Sequence, residues 1–525
     1  MSGGEPSTGD DRRTSVDDVN EAHKRLQDAA RPEAVERQHA AGKLTARERV
    51  DALLDAGTAV EVGALVTPDD GIADERFVPG DGVVTVMGEV DGRPASVFAT
   101  DFTVLGGSLG EAGMRKIIGM VEVSTRRGIP LLMLVDGGGH RVQEIDARPY
   151  AFGGDSGPFW RQALLSGWTP QVAAIMGPAF AGAALFTSFA DFVPMVKDTG
   201  SLGVAGRQLV KAAMGEDLTT QELGGSGTQN HNGNADGEYA DDAACIAAVR
   251  EFLSYLPTNA SDPPPVVYTE DPAGRRADEL RDMVPSERRR TYDVKPIIRA
   301  VVDDGRMLEI QPKYARNLVV ALARLDGHPV GIIANQTKAL GGAIDTAACT
   351  KAARFVEMCN AFGLAIVSFV DTPGVMIGSA AEQQRLVRYA AKPLMALAHA
   401  TVPTVAIVLR KAYGAGFLAM GGGRTGLDGA FLWPTAEMAP MGIEGAVDVI
   451  FRRQIAEAED PEAARAEMID RFYAKSTPLR AASGFGVDDV IDPAETRAKI
   501  IGLLRVNKGR RLKLIPPKKH WISPT

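Results

Sequence analysis

The chain has 525 residues, 45% of them apolar and 24% charged, and its formal net charge is −9 with a pI of about 5.5. This acidic balance argues against general nucleic-acid binding, which needs a basic surface to neutralise phosphates. No apolar run approaches the roughly 18 residues of a membrane span, and the three cysteines form no CxxC pair, so we expect a cytoplasmic protein without disulfides, bound metal or membrane contacts.

Along the chain, composition divides the sequence into a tail and two long domains. Residues 1–15 lack the apolar core of a signal peptide and are predicted to form a disordered tail. Helical, highly charged sequence opens a first domain, predicted over residues 16–262. A stretch rich in proline and arginine, 263–290, is typical of a linker, and a second domain is predicted over 291–525.

Both domains alternate short apolar runs with helical patterns. The apolar runs predict buried strands, at 129–135 and 172–176 in the first domain and at 365–370 and 405–409 in the second. Helical periodicity covers 111–127 and 346–362. Continuous apolar strands separated by helices are typical of a sheet covered on both faces, which predicts the α/β class.

The two domains contain the same sequence pattern. DGRPASVFATDFTVLGG at 91–107 returns as DGHPVGIIANQTKALGG at 326–342, 235 residues later, and the same offset still relates Asp136 to Asp371. A fixed offset of this length indicates two copies of one domain. A site built from two similar halves suits a reaction with two similar partners.

Two glycine- and alanine-rich segments follow matching apolar runs, GPAFAGAA at 177–184 and RKAYGAG at 410–416. Each leads into a predicted helix start, where unpaired N–H groups and a partial positive charge can stabilise an oxyanion. Tight packing of helix on strand explains either segment taken alone. Their occurrence at matching places of a repeat favours the ligand-binding interpretation.

Other sequence patterns give weaker evidence of function than these two segments. The turns DGGGHR, DTPGV and the two LGG segments either line the cleft or are ordinary turns. The dinucleotide-like pattern GAGFLA from Gly414 is discounted, because Arg410 to Tyr413 is expected to separate it from the strand and the other copy lacks it. The pairs Asp241-Asp242 and Asp303-Asp304 are predicted to be solvated. No side-chain triad is visible, which favours catalysis by backbone donors.

On these segments the chain resembles the carboxyltransferase (beta) subunits of biotin-dependent acyl-CoA carboxylases, the propionyl-CoA and methylcrotonyl-CoA carboxylase group. The resemblance extends from about Val16 to the C-terminus. Its motifs include GKLTARERV at Gly42, DFTVLGGSLGEA at Asp101, ANQTKALGGAIDTAACTKAARFVEMCNAF at Ala334, VDTPGV at Val370, WPTAEMAPMGIEGAV at Trp433 and KKH at Lys518.

The resemblance implies two tandem crotonase-like domains of the ClpP/crotonase superfamily and a homohexamer built as a trimer of dimers. It implies acyl-CoA on the N-terminal domain and carboxybiotin on the C-terminal domain. Biotin is the implied cofactor. Because the sequence contains no ATP-grasp domain and no biotinyl AMKM segment, a biotin carboxylase and a biotin carboxyl carrier are expected as partners.

In the implied reaction, CO2 leaves carboxybiotin, the α-proton of the thioester is removed, and the enolate captures CO2. The resemblance places the backbone donors at Gly182, Ala183, Ala415 and Gly416. It places acyl-CoA binding at Gly106, Gly107, Gly138, Gly139, Ala181 and Leu418. It places biotin binding at Gly341, Gly342, Pro373, Gly374, Tyr413 and Gly414.

The first copy departs from the usual family pattern at Gly137, His140, Ala179, Phe180 and Gln229. These departures leave two alternatives open: a biotin-independent malonyl-type CoA decarboxylase, and a non-catalytic carboxylase subunit. The length of the acyl chain and the identity of the biotin-carrying partner do not follow from the sequence.

Overall fold

A computed structural model describes residues 14–68, 77–141, 157–422, 428–484, 486–508 and 522–524. Most of the predicted tail, at 1–13, and the KKH motif at 518–520 lie outside the described residues. The chain divides into two compact units. The first unit comprises Met1–Ser166, Gln171–Ser226 and Tyr239–Ala247, and the second comprises Gly167–Pro170, Gly227–Glu238 and Ala248–Thr525.

The first unit begins with three helices, α1 (Val16–Leu26), α2 (Pro32–Ala40) and α3 (Ala46–Leu53). Ser15 and Thr45 start α1 and α3 through capping boxes, in which the hydroxyl accepts from a backbone N–H and an acidic side chain three residues later bonds back. The helical prediction for this part of the chain is confirmed.

An eight-stranded sheet forms the centre of the first unit. Its strands are β1 (Val60–Glu61), β2 (Val83–Val90), β3 (Arg93–Thr100), β4 (Leu131–Gly137), β5 (Gln171–Phe180), β6 (Pro194–Val196), β7 (Ser201–Gly203) and β8 (Gly237–Tyr239). They lie in the order β1-β2-β3-β4-β5-β6-β8, with β7 also paired to β5. β2 and β3 form an antiparallel hairpin, whereas β3, β4 and β5 run parallel.

Helices connect and cover these strands. They are α4 (Glu111–Arg127), α5 (Gly157–Ala163), α6 (Gly182–Ser188), α7 (Arg207–Met214) and α8 (Thr220–Gly224). Of the next two helices, α9 (Ser226–Asn232) belongs almost entirely to the second unit, and α10 (Asp242–Tyr255) is divided between the two units. α4 has the bounds that periodicity predicts, and its buried face, which includes Ile117, Met120 and Val121, packs on β2 and β3. A left-handed glycine, Gly128 with φ 63°, ends it.

The second unit repeats the arrangement. Two helices, α11 (Leu280–Met283) and α12 (Lys295–Val301), precede its sheet. The strands are β9 (Met307–Ile310), β10 (Leu318–Leu325), β11 (His328–Asn335), β12 (Ala365–Thr372), β13 (Thr404–Tyr413), β14 (Gly429–Leu432), β15 (Glu437–Ala439) and β16 (Asp489–Val490). Their order is β16-β14-β13-β12-β11-β10-β9, with β15 also paired to β13.

The second unit carries more helix than the first. Its further helices are α13 (Thr346–Ala361), α14 (Ser379–Gln383), α15 (Leu386–His399), α16 (Gly414–Ala419), α17 (Ile443–Ile450), α18 (Arg452–Glu457), α19 (Pro461–Tyr473), α20 (Pro478–Ser483) and α21 (Thr496–Val506). Part of the segment predicted as a linker joins this core, since Ala277 and Leu280 are almost fully buried in it.

The sequence repeat is a structural repeat. β10 and β11 follow β2 and β3 by 235 residues, and the LGG turns have matching backbones, with φ 48° at Leu105 and 49° at Leu340. From β5 (residue 171) to β13 (residue 404) the offset becomes 233. The α/β class and the duplication are therefore confirmed. No helix in the described part of the chain is long and apolar enough to cross a membrane.

Candidate functional site

In the first unit, three loops meet at the carboxyl ends of β3, β4 and β5. The Gly138 N–H donates to the Gly106 carbonyl at 3.1 Å. Gly107 lies against Asp136 and Gly137, and a Cβ added at Gly139 would lie 2.7 Å from the Phe180 carbonyl oxygen. These four predicted acyl-CoA residues are thus gathered at one edge of the sheet, where the backbone at Gly107 and Gly139 approaches too closely for a larger side chain.

Ala181 turns the chain from β5 into α6. Its backbone adopts φ 53° and ψ −119°, and its N–H donates to the Gly203 carbonyl at 3.2 Å. Gly182 and Ala183 are the first two residues of α6. N–H groups in the first turn of a helix have no intrahelical acceptor, so both amides are available as donors at this edge.

A cavity of about 680 Å³ opens beside these loops. It is lined by residues from the N-terminal helices, the loop after β3, and the ends of β5 and β7, among them Arg37, Lys43, Phe102, Gly106 and Ser201. The Lys43 ammonium lies 4.1 Å from the centroid of the Phe102 ring. The volume is that of a small-molecule site, and the lining mixes apolar surface with polar groups.

The second unit forms a matching cradle. Gly342 lies against the Asp371 carbonyl, and the Ile344 N–H donates to the Gly374 carbonyl at 3.0 Å. A Cβ added at Gly416 would lie 2.6 Å from the Gly374 Cα. The turns at 340–342, 373–374 and 413–416 are therefore pressed together. Gly341, Pro373 and Ala415 are exposed on the surface of this cradle.

The remaining predicted residues lie on α16 or at its start. Tyr413 precedes the helix, and its buried hydroxyl donates to Glu437 at 2.8 Å, so its side chain is committed to that carboxylate. Burial, followed by Glu437, raises the pKa of Tyr413 far above its ordinary value. Gly414 has φ 51° and lies close to the Pro440 carbonyl. Leu418, one turn further on, is 47% exposed.

Two aspartates that the sequence repeat relates, without a predicted role in the site, anchor these edges. Asp371 is the penultimate residue of β12, and its carboxylate accepts from the Arg410 guanidinium at 3.0 Å and from the Lys411 N–H at 3.1 Å. Burial raises the pKa of Asp371, and Arg410 opposes that shift. Asp136 occupies the equivalent place in β4. The fixed offset between them was the signal that identifies both.

Asp136 is held by a different set of partners. Its carboxylate accepts from Lys43 at 2.9 Å, Arg49 at 2.9 Å and Gln38 at 2.8 Å, all from the N-terminal helical segment. Arg49 also pairs with Asp242 at 2.7 Å. Asp242 is buried, so the prediction that the Asp241-Asp242 pair is solvated is wrong for its second member.

Among the described residues, no group of three or more His, Cys, Asp or Glu side chains is arranged to hold a metal ion. At both edges the buried carboxylates, Asp136 and Asp371, are paired with cations.

Known proteins share this architecture over nearly the whole chain. The carboxyl transferase domain family matches residues 37–522. The carboxyltransferase subunit of propionyl-CoA carboxylase from Haloferax mediterranei is 40% identical over 97% of this chain and 99% of its own. The methylmalonyl-CoA decarboxylase subunit alpha of Propionigenium modestum is 39% identical over 93% of this chain and 95% of its own.

A solved structure supports the same family assignment. A chain from the transcarboxylase 12S crystal structure, which describes the hexamer assembly with methylmalonyl-coenzyme A and methylmalonic acid bound, superimposes with a TM-score of 0.92 at 39% identity, covering 98% of this chain and 100% of the other. This likeness confirms the crotonase-like fold. The chain belongs to the carboxyl transferase family, and it is a carboxyltransferase related to the beta subunits of the acyl-CoA carboxylases.

Proposed function

We propose that this carboxyltransferase moves CO2 from carboxybiotin, carried by a partner protein, to the α-carbon of an acyl-CoA. The observation that carries the proposal is the pair of equivalent helix starts. Gly182-Ala183 and Ala415-Gly416 each follow a long parallel strand, and they are related by the same 233-residue offset as β5 and β13.

The first unit is assigned to the acyl-CoA. Removing the α-proton of a thioester places negative charge on its carbonyl oxygen. The N–H groups of Gly182 and Ala183, at the positive end of α6, would donate to that oxygen. Gly106, Gly107, Gly138 and Gly139 present backbone without side chains, which lets the thioester approach the donors.

The second unit is assigned to the biotin. Carboxybiotin bound there would supply the CO2 and the base for the α-proton. The cradle fits such a group, because Gly341, Gly342, Pro373 and Gly374 offer bare backbone beside the donors Ala415 and Gly416. Tyr413 and Gly414 fix the start of α16, and Leu418 is the residue of this unit that the family resemblance assigns to the acyl group.

In the proposed reaction, the buried carboxylates of Asp136 and Asp371 have a positioning role. Asp136 and Asp371 are paired with cations and almost fully buried, so neither is placed to act as the base. Each fixes the end of the strand that precedes a glycine turn. The protein's contribution is thus to orient two partners and to stabilise two oxyanions.

The proposal includes partners and assembly. A biotin carboxylase with a biotin carboxyl carrier would supply carboxybiotin, and the chain would assemble as a homohexamer, a trimer of dimers, in the cytoplasm. The related 12S protein is a hexameric core, which supports this expectation. Domain boundaries at 16–262 and 291–525 remain part of the proposal.

A reconstituted assay tests this function. The chain would be combined with a biotin carboxylase and its biotinylated carrier, ATP, bicarbonate labelled with 14C, and a series of acyl-CoAs of increasing length. We expect acid-stable label in at least one α-carboxylated thioester. Absence of product across the series contradicts the proposal. Release of CO2 from a malonyl-type CoA without any biotin protein would favour the decarboxylase alternative instead.

A further inference from the structure

A second cavity, of about 520 Å³, lies in the second unit at the amino ends of β11 and β12. We call it the basal cleft. The proposed biotin cradle lies at the opposite, carboxyl ends of these strands. An eight-residue strand such as β11 spans about 23 Å, so the basal cleft is a separate site and not an extension of the cradle.

The interior of the basal cleft is apolar. Val266, Leu325, Val330, Ile501 and Leu504 contribute hydrocarbon from the segment before α11, from the β10–β11 hairpin and from α21. A cavity of this size with mostly apolar walls is typical of sites for small organic ligands. Burying a chain there would remove apolar surface from water on both sides of the contact.

The walls are fixed to one another, so the cleft is already formed. The Val267 N–H donates to the Gly327 carbonyl at 3.0 Å, which ties the segment before α11 to the hairpin. Arg505 of α21 pairs with Asp326 of the same hairpin at 2.7 Å. A preformed cleft binds a ligand without the cost of ordering its walls.

The mouth of the basal cleft carries two acids, Asp262 and Asp326, and two cations, Arg505 and Lys508. Asp326 is paired with Arg505, and Asp262 keeps its charge while accepting from the Asn259 amide at 3.0 Å, so Lys508 is the cation that can meet an anionic ligand. Lys508 is exposed there and forms no ion pair within the described ranges. Burial holds the pKa of His328 below its ordinary value, and the neighbouring Lys508 adds to that effect.

We propose that the basal cleft binds an amphipathic organic anion, an aliphatic carboxylate of medium chain length. Its chain would lie among Val266, Leu325 and Leu504, and its carboxylate would pair with the Lys508 ammonium. Such a ligand would gain binding free energy from a charge-assisted hydrogen bond at the rim and from burial of its hydrocarbon chain against the apolar walls. The inference does not depend on the reaction proposed above.

Calorimetric titration of the full-length protein with octanoate tests the site, with acetate and octan-1-ol as comparison ligands. We expect octanoate to bind at least about tenfold more tightly than acetate, which lacks the chain, and than octan-1-ol, which lacks the charge. Equal affinity for octanoate and octan-1-ol would overturn the assignment of the anionic head, and no octanoate binding would overturn the site.

Three variants locate the binding. Lys508→Ala removes the head-group partner and should weaken octanoate binding about five- to tenfold. Val266→Trp, at a position 58% exposed, places a ring across the mouth and should abolish binding. Lys499→Ala lies on α21 outside the cleft, paired with Asp489, and should change nothing. Octanoate binding that survives Val266→Trp would place the ligand elsewhere and refute the inference.

Discussion

Ala181 holds a backbone conformation that glycine normally occupies. Its φ of 53° with ψ of −119° lies outside the regions open to residues with a Cβ. Such strain costs about 1–3 kcal/mol and persists where the surroundings enforce it. Here the N–H bond to Gly203 fixes the turn that presents Gly182 and Ala183. The second copy has Gly414 at the equivalent place, with φ 51°.

Replacing Ala181 with glycine should therefore stabilise the protein. Relief of strain outweighs the added chain entropy by about 1 kcal/mol, which corresponds to a rise of about 2 °C in the thermal midpoint. Scanning calorimetry measures it. Ala183→Gly, at an ordinary helical position, should lower the midpoint and is the matched control. A lower midpoint for Ala181→Gly would contradict the assignment of strain.

Lys351 is buried with its ammonium bonded to three carbonyl oxygens, those of Gln311 at 2.9 Å, Tyr314 at 2.9 Å and Leu318 at 2.8 Å. Burial lowers its pKa to about 7. Lys116 is its repeat equivalent; it contacts the Val83 carbonyl, and burial lowers its pKa to about 8. Each lysine ties the main helix of its unit to the chain entering the sheet.

The lowered pKa gives Lys351 a defined effect on stability. Between about pH 7 and pH 10.5 the unfolded chain binds more protons at Lys351 than the folded chain, so this residue's contribution to stability increases as pH rises. Lys351→Met should unfold at a lower temperature than the parent protein. Its deficit should grow by up to about 1.4 kcal/mol per pH unit above pH 7.

Thermal midpoints measured from pH 7 to pH 9 check this, with Lys499→Met, a partly exposed lysine, as the control. A deficit for Lys351→Met that stays constant over the range would contradict the linkage.

At the scale of elements, the helix α4 was predictable to the residue, whereas the strand ends were not. Apolar runs end near Met176 and Leu409, yet β5 and β13 continue to Phe180 and Tyr413. The extra residues pair with β7 and β15, which come later in the chain. Local composition contains no information on such pairing.

The greater length of β13 changes the reason for discounting the dinucleotide-like pattern at Gly414. Gly414 directly follows β13, so the dinucleotide-like pattern is not excluded by its distance from the strand. It is excluded by the crotonase-like fold and by its absence from the first copy.

The burial of two acidic residues also differs from what the sequence predicted. Asp303 was predicted to be solvated, but it is buried and pairs with Arg497 at 2.7 Å. Asp242 pairs with Arg49 across a similarly long stretch of chain. Local composition predicts exposure for adjacent acids, and only tertiary pairing reverses it.

The contact between the turn at Gly374 and the start of α16 should tolerate no side chain. Gly416→Ala would place a Cβ 2.6 Å from the Gly374 Cα, forcing the cradle apart. We expect carboxylation to fall at least about tenfold, since displacing a donor by an ångström is costly. Gly445→Ala, on α17 with open space around it, is the control and should keep full activity. Activity of Gly416→Ala equal to that of the control would contradict the cradle.

At the scale of the whole molecule, duplication explains what the sequence could predict and what it could not. The 235-residue offset placed both aspartates in register, and the matching glycine- and alanine-rich segments identified both helix starts, whose equivalent residues are 233 apart. The repeat could not predict that the copies neutralise those aspartates differently. The place of Arg410 is taken in the first copy by Gly177, where Asp136 leaves no room for a side chain. The first copy draws its cations from N-terminal helices outside the repeat.

In the proposed reaction, the first-turn amides of α6 and α16 each stabilise one oxyanion. The most direct test is kcat for acyl-CoA carboxylation by the reconstituted complex, comparing proline with serine at Ala183 and at Ala415. Proline is compatible with the first turn of a helix but lacks the N–H, whereas serine retains it. Each proline variant should lose about 100- to 1,000-fold in kcat with assembly intact, and each serine variant should stay within a few fold of the parent protein. Proline and serine variants with equal kcat would contradict the claim.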